Sequence, residues 1–379
     1  MEDRPAPVLL FASMINALGR FAREQVFELS AALIAAAFLL SGRLTLRRAA
    51  SAIDYDLLLV LFALLVTVEI LRFSGFLDRA VAFSLRRFTH TDSFAAMLIV
   101  TSGVLASLIT NDVALFVIIP FTVIASRLSD FDVEEAVTLE VVAANLIGCL
   151  TPLGNPQNLF VYHRSGWSAA EFVRAMWPFV AWSSAGLLAA AFLLGREKKI
   201  EIAPMALPPK NVPAAIAGTI CFLAVILEIA RVAPGWVAAL SAAAAGAGFL
   251  RRRILAIDFS IVPLFFFAFI VVEGMRTFDF RPLLTGSLYF TSIALSQIIS
   301  NVPAAILLTP LAESDWKTLL YGVNAGGCGT IIASLANLLG WRIYVRESNR
   351  DPRFFRRLIA VNAIFLAWAG AGGWLLLRF

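Results

Sequence analysis

Apolar runs of roughly 17–25 residues recur along almost the whole chain, the length that carries an α-helix across a ~30 Å hydrocarbon layer. They leave little polar sequence from which a soluble surface could be made. Of the 379 residues, 60% are hydrophobic and only 15% are charged, where a soluble domain averages nearer half and a quarter. The expectation is an all-α polytopic membrane protein.

The formal charge is +5, with Arg far outnumbering Lys. The Arg residues gather between the apolar runs, as the positive-inside rule requires, so the charge reports topology and no nucleic-acid partner is expected. Cys149, Cys221 and Cys328 each lie within an apolar segment, which offers neither a disulfide framework nor metal-ligand spacing. Residues 1–25 mix apolar and charged side chains without a cleavage signature and read as an interfacial segment.

Nine spans are predicted, at about 26–42, 56–73, 136–162, 174–195, 213–230, 235–250, 259–274, 318–341 and 358–378. Two further stretches, 93–127 and 287–311, are too long for one helix and carry polar clusters at their centres, Thr110-Asn111-Asp112 and Ser300-Asn301. Each is expected to form a re-entrant hairpin of two short helices meeting at a buried polar tip. The basic segments Arg196–Lys210, Arg251–Arg253 and Arg342–Arg357 then share one side. Taken as cytoplasmic, they put the N-terminus inside a bacterial inner membrane and the C-terminus outside.

The chain also repeats itself. Asn111 and Pro120 recur as Asn301 and Pro310, and Asn145, Cys149, Thr151, Asn158 and Leu159 recur at identical spacing as Asn324, Cys328, Thr330, Asn337 and Leu338. Glu69 and Arg72 match Glu273 and Arg276. The segment 196–234, a linker plus one extra span, turns the second unit over, so 26–195 and 235–379 are expected to be inverted repeats. Each would carry one hairpin and one unwound transmembrane helix. Inverted repeats with broken helices are a common plan for secondary transporters, with substrate near midplane.

Pro152, Gly154 and Pro156 cannot continue a regular helix, yet apolar helical sequence flanks them on both sides. An unwound helix presents half-helix N–H groups suited to an anion and freed carbonyls suited to a cation. Thr151, Asn155 and Asn158, with Thr330, Ser334 and Asn337 of the second copy, are the candidate substrate ligands. Thr110, Asn111, Asp112, Asn145, Ser296, Ser300, Asn301 and Asn324 are the candidates for the coupling ion. A carboxylate inside a hairpin is costly unless protonated, paired or bound to a cation, which singles out Asp112, whose counterpart is Val302. Glu69 and Glu273 each precede an Arg by three residues and read as structural ion pairs.

The run T-N-D-V-A-L-F at Thr110–Phe116, T-P-L-G-N-P-Q-N at Thr151–Asn158 and S-Q-I-I-S-N-V-P at Ser296–Pro303 resemble the ion-transporter superfamily of citrate carriers, arsenite efflux permeases and divalent-anion/sodium symporters. They are similar in particular to a poorly characterised bacterial inner-membrane branch of it. The resemblance implies a scaffold domain, a transport domain with two opposed hairpins, elevator-like movement and a homodimer. In the sodium-coupled branch, tips of the type S-x-x-x-S-N-T help hold cations. Ser296, Ser300 and Asn301 fit that pattern while Val302 replaces the Thr, and the first tip has Ala106, Thr110, Asn111 and Asp112 instead.

The expected function is secondary active transport of a small anion, citrate- or dicarboxylate-like or an inorganic oxyanion, coupled to Na+ or H+ and needing no other cofactor. Metalloid (arsenite) efflux and cation/proton antiport are the alternatives within transport. A membrane-embedded enzyme would need a nucleophile–base pair or metal cluster, which the loop histidines His90 and His163 do not supply.

Overall fold

The computed structural model describes residues 26–129, 131–194, 199–200, 207, 209–229, 232–257, 259, 261–275, 277–278, 287–312, 315–348 and 353–378. The predicted interfacial segment 1–25, most of the linker 196–210 and Arg276 lie outside them. The helices are α1 Val26–Leu40, α2 Leu46–Ala52, α3 Tyr55–Phe73, α4 Phe76–Arg87, α5 Thr91–Ile109, α6 Asn111–Leu128, α7 Val133–Leu146, α8 Pro156–Ser165 and α9 Ala169–Leu194. The second half contributes α10 Val212–Ile229, α11 Gly235–Phe249, α12 Ile261–Met275, α13 Leu288–Ile299, α14 Asn301–Leu308, α15 Trp316–Ala325, α16 Leu335–Ser348 and α17 Arg353–Leu376. No strand occurs among the described residues, beyond an isolated bridge between His90 and Lys199.

Four helices, α5, α6, α9 and α17, are individually long and apolar enough to cross a bilayer. The predicted spans 136–162 and 318–341 are each two helices, α7 with α8 and α15 with α16, separated where Pro and Gly interrupt the sequence. Two local elements escaped the sequence reading, α2 and α4. The chain bends by 70° between α3 and α4, a turn made possible by Gly75 at φ +67°. Helix α4 is amphipathic, burying Leu77, Val81 and Leu85 at i, i+4 and i+8.

The helices gather into two bundles. In one, α3 packs along α10 and α11, and α12 along α1 and α2. In the other, α5 to α9 pack with α13 to α17. Helix α4 lies between them, touching α3 on one side and α6 on the other. Each bundle therefore draws on both halves of the chain.

Arg72, Arg127 and Arg357 join helices that are distant in sequence. Arg72 at the end of α3 grips both carboxylate oxygens of Glu347 on α16, through Nη1 at 3.0 Å and through Nη2. Arg127 Nη2 donates to the Glu347 carbonyl at 2.9 Å. Glu69, read from the sequence as the partner of Arg72, is only a loose neighbour at 3.9 Å. Glu347 wins because it meets the guanidinium fork with both oxygens. Glu273 meets Arg48 at 2.8 Å; its expected partner Arg276 lies outside the described residues. Arg357 at the start of α17 binds Asp132 at 2.7 Å and Glu135 at 2.9 Å beside the base of the α5–α6 hairpin. Tyr289, at the base of the α13–α14 hairpin, donates to the Gly370 carbonyl at 2.7 Å. Gly370 lies about 20 Å further along α17 than Arg357, at 1.5 Å per residue. The two hairpins thus open at opposite ends of α17.

The α5–α6 arms are 19 and 18 residues long, not the short helices expected. The α13–α14 arms, at 12 and 8 residues, match the expectation.

Candidate functional site

Each hairpin turns on a single residue. Thr110 has φ +81° and ψ 148°, and Ser300 has φ +75° and ψ 152°. That corner of backbone space belongs almost entirely to Gly and costs about 1–3 kcal/mol for other residues. Both tips are then tied to a helix break. The Asn111 N–H donates to the Gly154 carbonyl at 2.8 Å, and the Asn301 N–H to the Ala333 carbonyl at 2.9 Å. Because Gly154 and Ala333 lie inside interrupted helices, the tips sit at the depth of the interruptions.

The strain at these turns is testable. Ser300→Gly should raise the melting temperature in detergent, since it relieves about 1–3 kcal/mol against about 0.5–1 kcal/mol of added chain entropy. The hydroxyl it removes makes only a long, 3.4 Å contact with the Ala333 carbonyl. An unchanged or lower melting temperature would show that the tip is relaxed.

Between the tips lies a buried amide network. Asn145 Oδ1 accepts from Asn111 Nδ2 at 3.1 Å and from the Ser334 hydroxyl at 2.9 Å. Asn145 Nδ2 donates to Asn337 Oδ1 at 2.9 Å. The matching residue of the second half, Asn324, donates from Nδ2 to Asn158 Oδ1 at 2.8 Å. Asn324 Oδ1 accepts from Asn155 Nδ2 and Gln157 Nε2, both at 3.1 Å. The exchange is reciprocal, since Asn145 corresponds to Asn324 and Asn158 to Asn337. Asn158 also braces the first break by donating to the Cys149 carbonyl at 3.1 Å. Asn337 braces the second by donating to Gly327 and Thr330 carbonyls at 3.0 Å.

Of the fourteen residues singled out from the sequence, the hydrogen bonds join seven directly: Asn111, Asn145, Asn155, Asn158, Asn324, Ser334 and Asn337. Asn301 and Asp112 stand at the two tips, both buried. Thr151 and Thr330 stay at the edge, where their hydroxyls donate to the Ser107 and Gln297 carbonyls on the neighbouring hairpins. Thr110 and Ser300 form the turns themselves. Ser296 turns its hydroxyl back to the Ser292 carbonyl at 2.7 Å and packs against Gly326. Gln297 was missed. Its Nε2 donates to the Gly326 and Cys328 carbonyls at 2.8 and 3.0 Å, and its Oε1 accepts from the Thr330 N–H at 2.9 Å. Its place between the two polar residues of S-Q-I-I-S-N was the available signal.

Four helix N-termini carry members of this cluster: α6 begins at Asn111, α8 follows Asn155, α14 begins at Asn301 and α16 follows Ser334. Helices α5, α7, α13 and α15 bring their C-termini to the same place. The N-terminal N–H groups favour an anion, and the C-terminal carbonyls favour a cation. Within this cluster two buried acceptors have no donor among the described residues, Asp112 Oδ1 and Asn155 Oδ1. No group of three or more His, Cys, Asp or Glu among the described residues has metal-site geometry, so a cation here would rest on oxygen ligands of this cluster.

A helical membrane protein whose broken helices meet on a polar core has the plan of a membrane transporter. The chain belongs to the citrate transporter family, whose model matches residues 21–315. It is 30% identical over 335 residues to the inner membrane protein YbiR of Escherichia coli, covering 86% of this chain and 88% of that one. It is 33% identical over 322 residues to a Methanocaldococcus jannaschii protein named as an uncharacterized transporter, covering 83% and 87%. It is 24% identical over 380 residues to a 46 kDa membrane protein of Mycobacterium leprae, covering 85% and 86%.

Proposed function

We propose that this membrane transporter is a secondary active carrier, not an enzyme, for a small anion of the di- or tricarboxylate class, driven by Na+ or H+. The observation that carries the reading is the convergence of four helix N-termini on one buried amide network. Displacing amide–amide bonds lets the same donors receive carboxylate oxygens, and no Arg or Lys among the described residues is buried there to hold an anion too tightly to release. The family's name supports a carboxylate. Asp112 Oδ1 and Asn155 Oδ1, lacking donors, are the acceptors for the driving cation.

The proposal includes two inverted repeats, supported by the reciprocal asparagine exchange and by hairpins that open at opposite ends of α17. It also includes elevator movement of the hairpin bundle against the α1–α3/α10–α12 bundle, which serves as scaffold and dimer surface. The Arg72–Glu347 pair, joining one bundle to the other, would be remade in each stroke. Arg72, Arg127 and Arg357 lie at the end assigned to the cytoplasmic face of an inner membrane, with the N-terminus inside.

Counterflow in proteoliposomes tests the carrier. Vesicles preloaded with citrate or a dicarboxylate should take up the labelled species, with the rate raised by Na+ or by an inward proton gradient. No exchange of any carboxylate or inorganic oxyanion by protein of verified fold would overturn the reading.

A further inference from the structure

Glu140 stands in the middle of α7, about 7.5 Å along the helix from Asn145, hydrogen-bonds to no member of the amide network, and is fully buried. Its Oε1 is hydrogen-bonded to the Thr122 hydroxyl on α6, and its Oε2 has no partner. The Ser102 hydroxyl on α5 donates at 2.8 Å to the Glu140 backbone carbonyl and closes the third side. Glu140 makes no ion pair with any described residue. Arg127 on α6 is committed to the Glu347 carbonyl, and Arg357 on α17 to Asp132 and Glu135.

The other charged or titratable groups on packed elements stand mostly toward helix ends or at the surface. They are Glu134 at the start of α7, Asp92 on α5, Glu171 and Arg174 on α9, Lys317 on α15, Arg342, the buried Tyr344, Arg346 and Glu347 on α16, and Arg353 and Arg356 on α17. Asp112 is ten residues before Thr122 on α6, about 15 Å along the helix. Tyr321 on α15 donates to the Ala175 carbonyl at 2.8 Å, and the Cys149 thiol lies on the Leu146 carbonyl at 3.1 Å.

The duplication supplies an internal comparison. At the spacing that matches Asn145 to Asn324, Glu140 corresponds to Leu319. At the spacing that matches Asn111 to Asn301, Thr122 corresponds to Ala312. All four are fully buried. By sequence spacing, the corresponding positions therefore carry hydrocarbon in the second half and a carboxyl–hydroxyl pair in the first. A carboxylate in such a place is costly without a counter-charge, and one hydroxyl does not offset that cost. A neutral acid removes the charge: Oε1 stays a carbonyl oxygen accepting from the Thr122 hydroxyl, and the cost left is one Oε2–H without an acceptor, smaller than that of a bare carboxylate.

We propose that Glu140 is a proton-binding site of this protein, paired with Thr122 and separate from the Asp112 tip, which holds a proton in the conformation described. On the carrier reading, it exchanges that proton during the transport cycle. The source is water, reaching Oε2 when the α5–α7 contact loosens. A hydronium ion of that water gives up the proton: its O–H bond breaks as the Oε2–H bond forms, the carboxylate loses its charge and a neutral water remains.

Infrared difference spectroscopy of the purified protein in lipid at neutral pH tests occupancy with no substrate present. Wild type minus Glu140→Gln should contain the C=O stretch of a protonated carboxylic acid that moves in D2O. A spectrum without a Glu140-dependent acid band overturns the site, whatever the protein transports. The double variant Glu140→Leu, Thr122→Ala copies the second half and should fold with a melting temperature at or above wild type. In proteoliposomes, Glu140→Gln and the double variant should lower proton-gradient-driven uptake about tenfold, with counterflow held within about twofold. Uptake at the wild-type rate in both would overturn the exchange step. Absence of counterflow in wild type would overturn the carrier reading instead, and leave the infrared result standing.

Discussion

Asp112→Asn should abolish gradient-driven accumulation of substrate while exchange across the bilayer continues. The side chain is buried at the first hairpin tip, its Oδ1 has no donor, and no Lys or Arg among the described residues pairs with it. Its own N–H is satisfied by Asn111 Oδ1 at 2.9 Å, so the substitution leaves the local backbone pattern intact. Asn has nearly the shape of Asp but neither its charge nor its titration. Losing one member of a buried charge–cation pair costs about 3–5 kcal/mol, or roughly two to four orders of magnitude in cation affinity.

The two driving ions separate in one preparation. With sodium, uptake by the variant should need far higher Na+, because an amide oxygen is a weaker ligand for a hard cation than a carboxylate. With protons, the variant should lose its response to a pH gradient and keep counterflow. A purely capping Asp would instead lower stability by about 0.5–2 kcal/mol with coupling intact. Undiminished gradient-driven uptake by Asp112→Asn would sink both coupling schemes.

Much of this site is legible in the sequence because its signals are local. Pro152, Gly154 and Pro156 forbid regular helix whatever surrounds them, and the structure interrupts the helix there. The equal spacing of Asn145 to Asn158 and Asn324 to Asn337 pairs these amides in the sequence, and their side chains bond reciprocally in the structure. Partner identity was not legible. Arg72 is three residues from Glu69, but the chain brings in Glu347 from 275 residues away, and no periodicity encodes that meeting. Helix α4 was hidden because its single apolar stripe of Leu77, Val81 and Leu85 is too sparse to register as a span. The long arms of the first hairpin were obscured because 93–127 was read as one membrane depth divided in two. The strain at Thr110 and Ser300 was invisible for the opposite reason. A sequence reader expects Gly at such a turn and finds none.

Gly154→Ala should give little folded protein. A Cβ at this position would stand 1.8 Å from the Gly148 carbonyl oxygen and 3.2 Å from that of Ala106. The obstructing atoms are backbone, so no rotamer change relieves them. Retreat is blocked as well, since Gly148 itself has the Ala106 Cβ at 2.8 Å from where its own would lie. Overpacking a core commonly costs about 1–3 kcal/mol, and more where the backbone must move. Here the movement would also pull the Gly154 carbonyl from the Asn111 N–H, and with it the hairpin tip from the amide network. The counterpart Ala333 carries a Cβ while making the equivalent bond to Asn301. The turn type therefore accepts a side chain, and the obstacle at residue 154 is the close approach of Gly148. Gly248→Ala provides the control: it lies within α11 with no atom within 4 Å of the added carbon, and it should be neutral or stabilising by about 0.5–1 kcal/mol. Fluorescence-detected gel filtration and thermal melting of the two variants side by side decide the matter. If Gly154→Ala matches Gly248→Ala in yield and melting temperature, the hairpin tip and the helix break are not packed backbone to backbone, and the proposed binding site loses its floor.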